Sequence, residues 1–320
     1  MYINIYKILI KQLKSKKLTK NVFITGGAGQ DGQILTILLQ KKKINLTIFY
    51  KDKIPKNIKG VNFIKEDLLN KKKIDTLFKK IKPNMVLHLA ANNPSYHEKN
   101  YEIFFNKNFL ATKNIFYSTF EANKKARFIF CSSSQIFRKK KGIVNEKSKV
   151  LEATDYTKFR IKSDLIMLKY KKKEKIHYTN AILFNHDSVY RNKKFLLPRV
   201  VSAIIEKDYS FLNDIIKKNI FADFSHADDI CNALYKIMFG KTNLDKLILS
   251  SGKSTSVNDI IQFILKKNKL RLDINLNQSK AKKTLIGNNM LACQKLKWSS
   301  KKNIFTAANE IYKLKIKNKN

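Results

Sequence analysis

A glycine-rich segment at residues 25–32 is the part of this chain whose residue types and spacing indicate a definite chemistry. It follows an apolar run that is typical of a buried strand, and it precedes a segment with helical spacing. Glycines at its second, fifth and eighth positions would permit a tight turn, close approach of the backbone to a pyrophosphate, and close packing of the helix. The amides at the start of such a helix attract phosphate. The spacing predicts a dinucleotide site with contacts from Gly26, Gly29, Gln30, Asp31 and Gly32.

The residues after the second and third predicted strands bear on which dinucleotide binds. An acidic residue at the tip of the second strand favours a free ribose hydroxyl, whereas basic residues suit a 2′-phosphate. Lys51 and Lys53 therefore favour NADP, while Asp52 between them leaves NAD possible. Glu66 and Asp67, after the third strand, are placed to meet the adenine, and Leu68 beside them is a further predicted cofactor contact.

The elements that must position this site alternate along the chain. Apolar strands are predicted at 21–25, 46–50, 61–65, 85–90, 127–132 and 179–184, and helices at 31–40, 71–82, 101–122 and 157–171. Strands that alternate with helices form a parallel, doubly wound sheet. We therefore predict an α/β fold of the Rossmann type with a smaller C-terminal substrate-binding lobe. The predicted organisation is a basic extension at 1–20, a dinucleotide-binding domain at 21–184, and a lobe at 185–320 that is interleaved with the last Rossmann elements at about 222–250.

The net charge of +42 permits two interpretations, attraction to polyanions or a general excess of lysine. Specific recognition of nucleic acid would call for more arginine than the few residues present, and no nucleic-acid-reading motif occurs. We therefore expect no specific nucleic-acid partner. The three cysteines lack metal-binding spacing, which predicts reduced thiols, a cytoplasmic protein and no metal site. No apolar run approaches the roughly 20 residues of a membrane-spanning helix.

The chain resembles the extended short-chain dehydrogenase/reductase family, and within it the GDP-mannose 4,6-dehydratases. The similar segments are 29–32, 89–91, 183–188, 223–229 and 285–298. The resemblance implies further cofactor contacts at Leu89, Ala90, Ala91, Asn108, His186 and Arg191. It implies substrate contacts at Ser133, Asn185 and Arg199.

The same resemblance implies a catalytic set of Ser133, Gln135, Tyr156 and Arg160. In the family a tyrosine removes a proton from a sugar hydroxyl while hydride leaves for the nicotinamide. A lysine four residues later stabilises the deprotonated tyrosine and binds the nicotinamide ribose. This chain has Arg160 there, which keeps the charge but cannot release a proton.

Two further positions depart from the family pattern. Gln135 stands where a dehydratase has the glutamate that removes the C5 proton, and an amide cannot act as that base. Ala222 stands where relatives have an arginine that meets the substrate phosphate.

The resemblance implies an NADP-dependent enzyme, with NAD possible, that acts on a nucleotide sugar and most closely on GDP-mannose. Such an enzyme oxidises C4, eliminates water across C5 and C6, and returns hydride to C6. A homo-oligomer, either a dimer or a tetramer, is expected. Two alternatives remain open at this point: a 4-epimerase or 4-reductase without dehydration, and a protein that binds nucleotide sugar or cofactor without turnover.

Overall fold

The computed structural model describes residues 20–51, 58–91, 101–276 and 282–319, with side chains described from residue 105 onward in the third range. Nearly all of the predicted N-terminal extension, together with Asp52 and Lys53, lies outside the described residues. Within them, no helix combines the length and the apolar composition that crossing a lipid bilayer requires.

Strands and helices alternate through the described part of the chain. The strands are β1 (Lys20–Thr25), β2 (Ile44–Tyr50), β3 (Val61–Lys65), β4 (Met85–His88), β5 (Arg127–Ser133), β6 (Gly142–Val144), β7 (His177–Leu183), β8 (Asn185–Asp187), β9 (Phe221–His226), β10 (Lys246–Leu249), β11 (Ser254–Ser256) and β12 (Leu285–Gly287). The helices are α1 (Gln30–Leu39), α2 (Lys71–Ile81), α3 (Tyr101–Ala122), α4 (Asp155–Glu174), α5 (Leu196–Glu206), α6 (Tyr209–Lys218), α7 (Ala227–Phe239), α8 (Val257–Lys267), α9 (Met290–Leu296) and α10 (Ile304–Lys317). A short 3₁₀ turn occupies Ser134–Ile136.

Seven strands form one parallel sheet in the order β10-β7-β5-β4-β1-β2-β3. This order, with β1 flanked by β4 and β2, confirms the predicted doubly wound Rossmann fold. Thr25 pairs with Phe49 on one side and with His88 on the other. The carboxyl ends of β1, β2 and β4 therefore meet at the same edge, immediately before the glycine-rich turn.

The strands of this sheet are almost continuously apolar because helices cover a parallel sheet on both faces. An aromatic cluster fills one side, where the rings of Phe23 and Phe78 lie 4.9 Å apart and Phe49 stacks on Phe78. The helix α2 contributes to it through buried residues spaced by three and four positions, which gives the helix one apolar face.

Contacts within the chain divide its described residues into two compact units. The first takes 20–132, 152–180 and 237–245, and the second takes 133–151, 181–236 and 246–319. Each unit thus consists of three separate segments of the chain, whereas a single division at residue 184 would give each unit one segment. That predicted division concerns function, a dinucleotide domain and a substrate lobe, and it remains a proposal.

The second unit contains two small sheets, β11-β9-β8 and β12-β6, which a buried carboxylate links to a neighbouring loop. Asp223 on β9 is 1% exposed. Its carboxylate accepts hydrogen bonds from the amide (2.9 Å) and hydroxyl (2.6 Å) of Ser251 and from the amides of Gly252 (3.2 Å) and Gly287 (3.1 Å). Burial raises the pKa of this carboxyl, and the four donors oppose that shift. The side chain therefore joins β9, β12 and the loop after β10.

Replacement of Asp223 by alanine is expected to lower the free energy of unfolding by about 3 kcal/mol, because it leaves the buried amide of Gly287 and the less buried donors of Ser251 and Gly252 without this acceptor. Urea denaturation measures this loss. Asp214→Ala is the control, since the Asp214 carboxylate forms only a surface ion pair with Lys218, one worth less than about 1 kcal/mol. Equal losses in the two variants would contradict a structural role for the buried carboxylate.

Candidate active site

The glycine-rich turn lies against the end of β4. Gly26 has a φ of +73°, and a Cβ at this position would lie 2.8 Å from the backbone nitrogen of Ala90. Among the described residues, a Cβ at Gly29 would meet only the carbonyl oxygen of Gly26, at 3.2 Å. Gly26 is therefore packed against protein, whereas the space beside Gly29 is open, as the predicted approach of a pyrophosphate requires.

A fourth glycine, Gly27, was not among the predicted contacts, and it completes this packing. A Cβ at Gly32 would lie 2.4 Å from the Cα of Gly27, and a Cβ at Gly27 would lie 1.9 Å from the Cγ2 atom of Ile48. The helix α1 therefore packs through Gly32 onto Gly27 in the turn, and not directly onto a strand. The adjacent Gly26-Gly27 pair is the sequence signal that could have indicated this contact.

The amino end of α1 fits a phosphate group. Gly29 is its N-cap residue, and no side chain accepts a hydrogen bond from the first-turn amides as a cap. The positive end of the helix dipole favours an anion at this position. Asp31 adds an acidic group to the first turn, and its carboxylate accepts a hydrogen bond from the side-chain amide of Gln30 at 3.2 Å.

The residues predicted to meet the adenosine half of a dinucleotide follow β2 and β3. Lys51 is exposed directly after β2. Asp67 is exposed after β3, and its carboxylate accepts a hydrogen bond from the Leu69 amide at 3.0 Å. The carbonyl of Leu68 accepts one from the side-chain amide of Asn114 on α3, also at 3.0 Å. Asn114, which the sequence analysis did not select, thus holds the Asp67–Leu68 segment in place.

A buried histidine joins three segments that were predicted to contact cofactor. His88 is 1% exposed, with Nδ1 2.7 Å from the hydroxyl of Thr25 and Nε2 2.9 Å from the hydroxyl of Thr112. The Thr25 hydroxyl also accepts a hydrogen bond from the Ala90 amide at 3.2 Å. The predicted cofactor residue Asn108 is buried one helical turn before Thr112. Burial, reinforced by the nearby positive charge of Arg160, lowers the pKa of His88 to about 3, so the ring is neutral at ordinary pH.

Tyr156 and Arg160 form a pair on the first turns of α4. A capping box between Thr154 and Thr157 fixes the start of this helix. The Nη2 atom of Arg160 donates to the Tyr156 hydroxyl at 3.3 Å, and Nη1 donates to the carbonyl of Cys131 on β5. The predicted spacing of four residues therefore brings the cation to the phenol.

Aromatic rings surround the Arg160 guanidinium, which is only 5% exposed as a residue. Its central carbon lies 4.6 Å from the ring centroid of Phe159, 5.1 Å from that of Tyr156 and 5.4 Å from that of Phe130. Stacking on aromatic faces is a preferred environment of a planar guanidinium. The arginine is therefore held by packing as well as by hydrogen bonds.

Ser133 and Gln135 lie where β5 ends. The Ser133 hydroxyl accepts a hydrogen bond from the Gln135 amide at 3.3 Å and so caps the 3₁₀ turn. The Gln135 side chain is exposed, and its backbone carbonyl accepts a hydrogen bond from Lys140 at 3.2 Å. The turn thus presents an amide at the place where the resemblance expects a carboxylate.

The second unit carries the remaining predicted residues. Asn185 is exposed on β8, and His186 is buried with Nδ1 2.7 Å from the Phe184 carbonyl. Arg191 forms an ion pair with Asp187 at 3.1 Å, and its guanidinium lies 3.6 Å from the ring centroid of Phe195. The exposed Arg199 on α5 has its guanidinium 4.6 Å from the ring centroid of Phe211.

Residues 23–310 match a protein-family model described as GDP-mannose 4,6 dehydratase. The chain is 23% identical over 266 residues to GDP-6-deoxy-D-talose 4-dehydrogenase of Aggregatibacter actinomycetemcomitans, covering 80% of this chain and 83% of that protein. It is 26% identical over 314 residues to UDP-glucose 4-epimerase of Mycoplasma genitalium, covering 88% and 92%. Among solved structures, the fold is similar to dTDP-glucose 4,6-dehydratase of Bacillus anthracis in complex with NAD. The TM-score is 0.77 and the identity 15%, over 94% of this chain and 97% of that one.

Gly29→Val is expected to abolish dinucleotide binding and to leave the fold intact, because the added side chain enters the open space beside the turn. Thermal melts with and without NADPH measure this, since a ligand raises the melting temperature only of a protein that binds it. Gly26→Ala is the matched comparison. It should unfold more easily even without ligand, by about 2 kcal/mol, because of its positive φ and its contact with Ala90. An equal NADPH-induced shift in wild type and Gly29→Val would show that the space beside Gly29 takes no ligand.

The neutral His88 ring is expected to make folding sensitive to acid. The unfolded chain takes up a proton at this group below about pH 6.5, whereas the folded chain does so only near its lowered pKa of about 3. The stabilisation is complete above pH 6.5 and is lost as the pH falls towards 3, by about 2 kcal/mol at pH 5. Urea denaturation of wild type and His88→Asn should show the difference between them shrinking by that amount from pH 7 to pH 5. A difference that does not change with pH would contradict the assignment.

Proposed function

Because this chain belongs to the GDP-mannose 4,6-dehydratase family of nucleotide-sugar dehydratases and epimerases, we propose that it oxidises C4 of a GDP-linked hexose with NADP. This oxidation would be the first step of a 4,6-dehydration of GDP-mannose. The observation that carries this proposal is the Tyr156–Arg160 pair, with the guanidinium 3.3 Å from the phenol oxygen. A phenol beside a fixed cation is suited to removing a proton from a sugar hydroxyl.

The residues at the glycine-rich turn fit a dinucleotide. The open space beside Gly29 and the uncapped amino end of α1 would take the pyrophosphate, and the segment at Asp67 would meet the adenine. A nicotinamide cofactor bound here would supply the hydride acceptor and donor for the sugar. Lys51 favours NADP by its charge at the end of β2, and NAD is the alternative, as in the dehydratase structure from B. anthracis.

In the proposed oxidation Tyr156 acts as the phenolate and takes the proton of the C4 hydroxyl. The Ser133 hydroxyl is proposed to bind the substrate. Arg160 keeps its charge beside the phenol but cannot relay the proton, because a guanidinium does not deprotonate in proteins. The proton on Tyr156 therefore returns to the sugar or leaves through solvent. Arg160 also has its Nη1 committed to the Cys131 carbonyl, so it offers fewer free donors to a ribose.

Substrate recognition is proposed for the second unit. Asn185 and Arg199 are exposed there, and a guanidinium is suited to a diphosphate. Ala222 supplies no charge at the position where the family has an arginine, which makes Arg199 the cation we propose for that role. We further propose a cytoplasmic homo-oligomer, a dimer or a tetramer. Cys131, Cys231 and Cys293 form no disulfide among the described residues, which accords with a reducing compartment.

Gln135 favours a second candidate function, C4 oxidation or epimerisation without loss of water. An amide cannot remove the C5 proton, and elimination across C5 and C6 requires that removal. The similarity to a GDP-6-deoxy-D-talose 4-dehydrogenase and to a UDP-glucose 4-epimerase supports chemistry confined to C4. A protein that binds both ligands without turnover is the outcome that would overturn both candidates.

We expect wild-type protein given NADP and GDP-mannose to form the 4-keto-6-deoxy product slowly. Gln135→Glu should raise its rate of formation by at least about tenfold, a modest part of the 100- to 10,000-fold that a positioned proton-transfer group contributes. Mass spectrometry measures the product, and uptake of deuterium at C5 from heavy water reports the proton removal itself. Gln135→Ala is the control and should show no gain. Adding Arg160→Lys to Gln135→Glu should raise the rate further.

Fast dehydration by the wild type would show that another base serves and that position 135 is misassigned. Reduction of NADP without C5 exchange, in the wild type but not in Tyr156→Phe, would support the C4-only candidate. Absence of any product with GDP-mannose and UDP-glucose, in wild type and in the double variant alike, would overturn the proposed catalysis.

A further inference from the structure

We propose that His88 is a positioning residue that sets the spacing between the glycine-rich turn and the end of β4, and that dinucleotide affinity depends on it. The inference rests on the proposed function in one respect, that the ligand at this turn is a dinucleotide. It assigns to the buried imidazole no contact with ligand.

The hydrogen bonds between the end of β4 and β1 change from backbone acceptors to a side-chain acceptor at the edge of the sheet. The amide of Leu89 donates to the carbonyl of Thr25 at 3.3 Å, as in a regular ladder. The next amide, that of Ala90, donates instead to the hydroxyl of Thr25 at 3.2 Å. The position of Ala90 is therefore set by the orientation of one threonine side chain.

His88 fixes that orientation. Its Nδ1 lies 2.7 Å from the Thr25 hydroxyl, and its ring is neutral. When the hydroxyl accepts from the Ala90 amide and donates to Nδ1, the proton of the imidazole stands on Nε2, which then donates to the Thr112 hydroxyl at 2.9 Å. This tautomer satisfies both ring nitrogens, as a buried polar group requires.

The spacing has little tolerance, because the backbones of the two segments are almost in contact. A Cβ at Gly26 would lie 2.8 Å from the nitrogen and 2.9 Å from the Cα of Ala90. Any displacement of Ala90 towards β1 must therefore move Gly26, and with it the turn that leads to Gly29. The chain of hydrogen bonds from Ala90 through Thr25 to His88 thus acts on the geometry of the phosphate-binding turn.

Two substitutions test the two hydrogen bonds of the imidazole separately. The side-chain amide of asparagine places a polar atom near the position of Nδ1, so His88→Asn can keep the bond to Thr25 and loses that to Thr112. Glutamine reaches the position of Nε2, so His88→Gln keeps the bond to Thr112 and loses that to Thr25. Both variants leave a polar side chain of similar size in the same buried place.

We expect isothermal titration to show NADPH affinity within about threefold of wild type for His88→Asn. We expect it to be at least about tenfold weaker for His88→Gln, the factor that corresponds to loss of roughly one well-made hydrogen bond. Thr25→Val should weaken binding as His88→Gln does, whereas Thr112→Val should resemble His88→Asn. Thr119→Val is the matched control, because Thr119 is a buried threonine on α3 whose hydroxyl bonds only within its own helix. Melting temperatures of all five variants without ligand identify any general loss of stability.

Hydrogen exchange at the Ala90 amide tests the same inference without ligand. Protection of this amide should fall in His88→Gln and Thr25→Val and persist in His88→Asn and Thr119→Val. Equal protection and equal affinity in the asparagine and glutamine variants would overturn the inference. The inference would also be overturned if NADPH affinity simply fell with melting temperature across all five variants, the control Thr119→Val included. A wild-type protein that binds neither NADPH nor NADH would overturn the proposed function, and the exchange pattern would then decide on the positioning role by itself.

Discussion

The close approach of the glycine-rich turn to the sheet is the constraint on which the candidate site depends. Three close contacts follow one another: Gly26 on the backbone of Ala90, Gly27 on the side chain of Ile48, and Gly32 on the backbone of Gly27. Each leaves no space for a side chain, so the amino end of α1 is drawn against the carboxyl edge of β1, β2 and β4. The end of the helix lies beside Gly29, where among the described residues an added Cβ would meet only the Gly26 carbonyl oxygen. The proposed binding of phosphate there depends on how tightly the surrounding backbone packs.

The strands and helices of the sheet could be predicted because their burial leaves a local pattern. Strands covered on both faces are continuously apolar, and the six predicted strands and four predicted helices all occur with ends displaced by three residues or fewer. The displaced ends have specific causes. The apolar run of β4 continues to Ala90, but the strand ends at His88 because the Ala90 amide bonds to the Thr25 hydroxyl and leaves the ladder. Boundaries depend on such single bonds, which no periodicity reveals.

Two of the unpredicted site residues, His88 and Asn114, have partners that are distant in the chain. His88 meets Thr25 across 63 residues, and Asn114 meets Leu68 across 46. A lone histidine or asparagine in a buried segment carries no spacing signal by which such a partner could be identified. The Tyr156–Arg160 contact could be predicted because its partners lie four residues apart on a helix, where side chains at that spacing are neighbours.

The two departures at the catalytic positions differ in physical kind, which bears on what the protein has kept. Arg160 replaces one cation by another, and the fold accommodates the wider group among three aromatic rings and a backbone carbonyl. A guanidinium held in this way still places positive charge at the phenol, as the proposed proton transfer at C4 requires. Gln135 instead removes a function, because no packing makes an amide a base. The net charge of +42 does not compensate for that loss: a long-range positive field speeds the arrival of any anionic cofactor or nucleotide sugar, but it distinguishes none of them and abstracts no proton. In the proposed function both selectivity and chemistry come from individual side chains, and Gln135 does not supply the base that dehydration would need at C5.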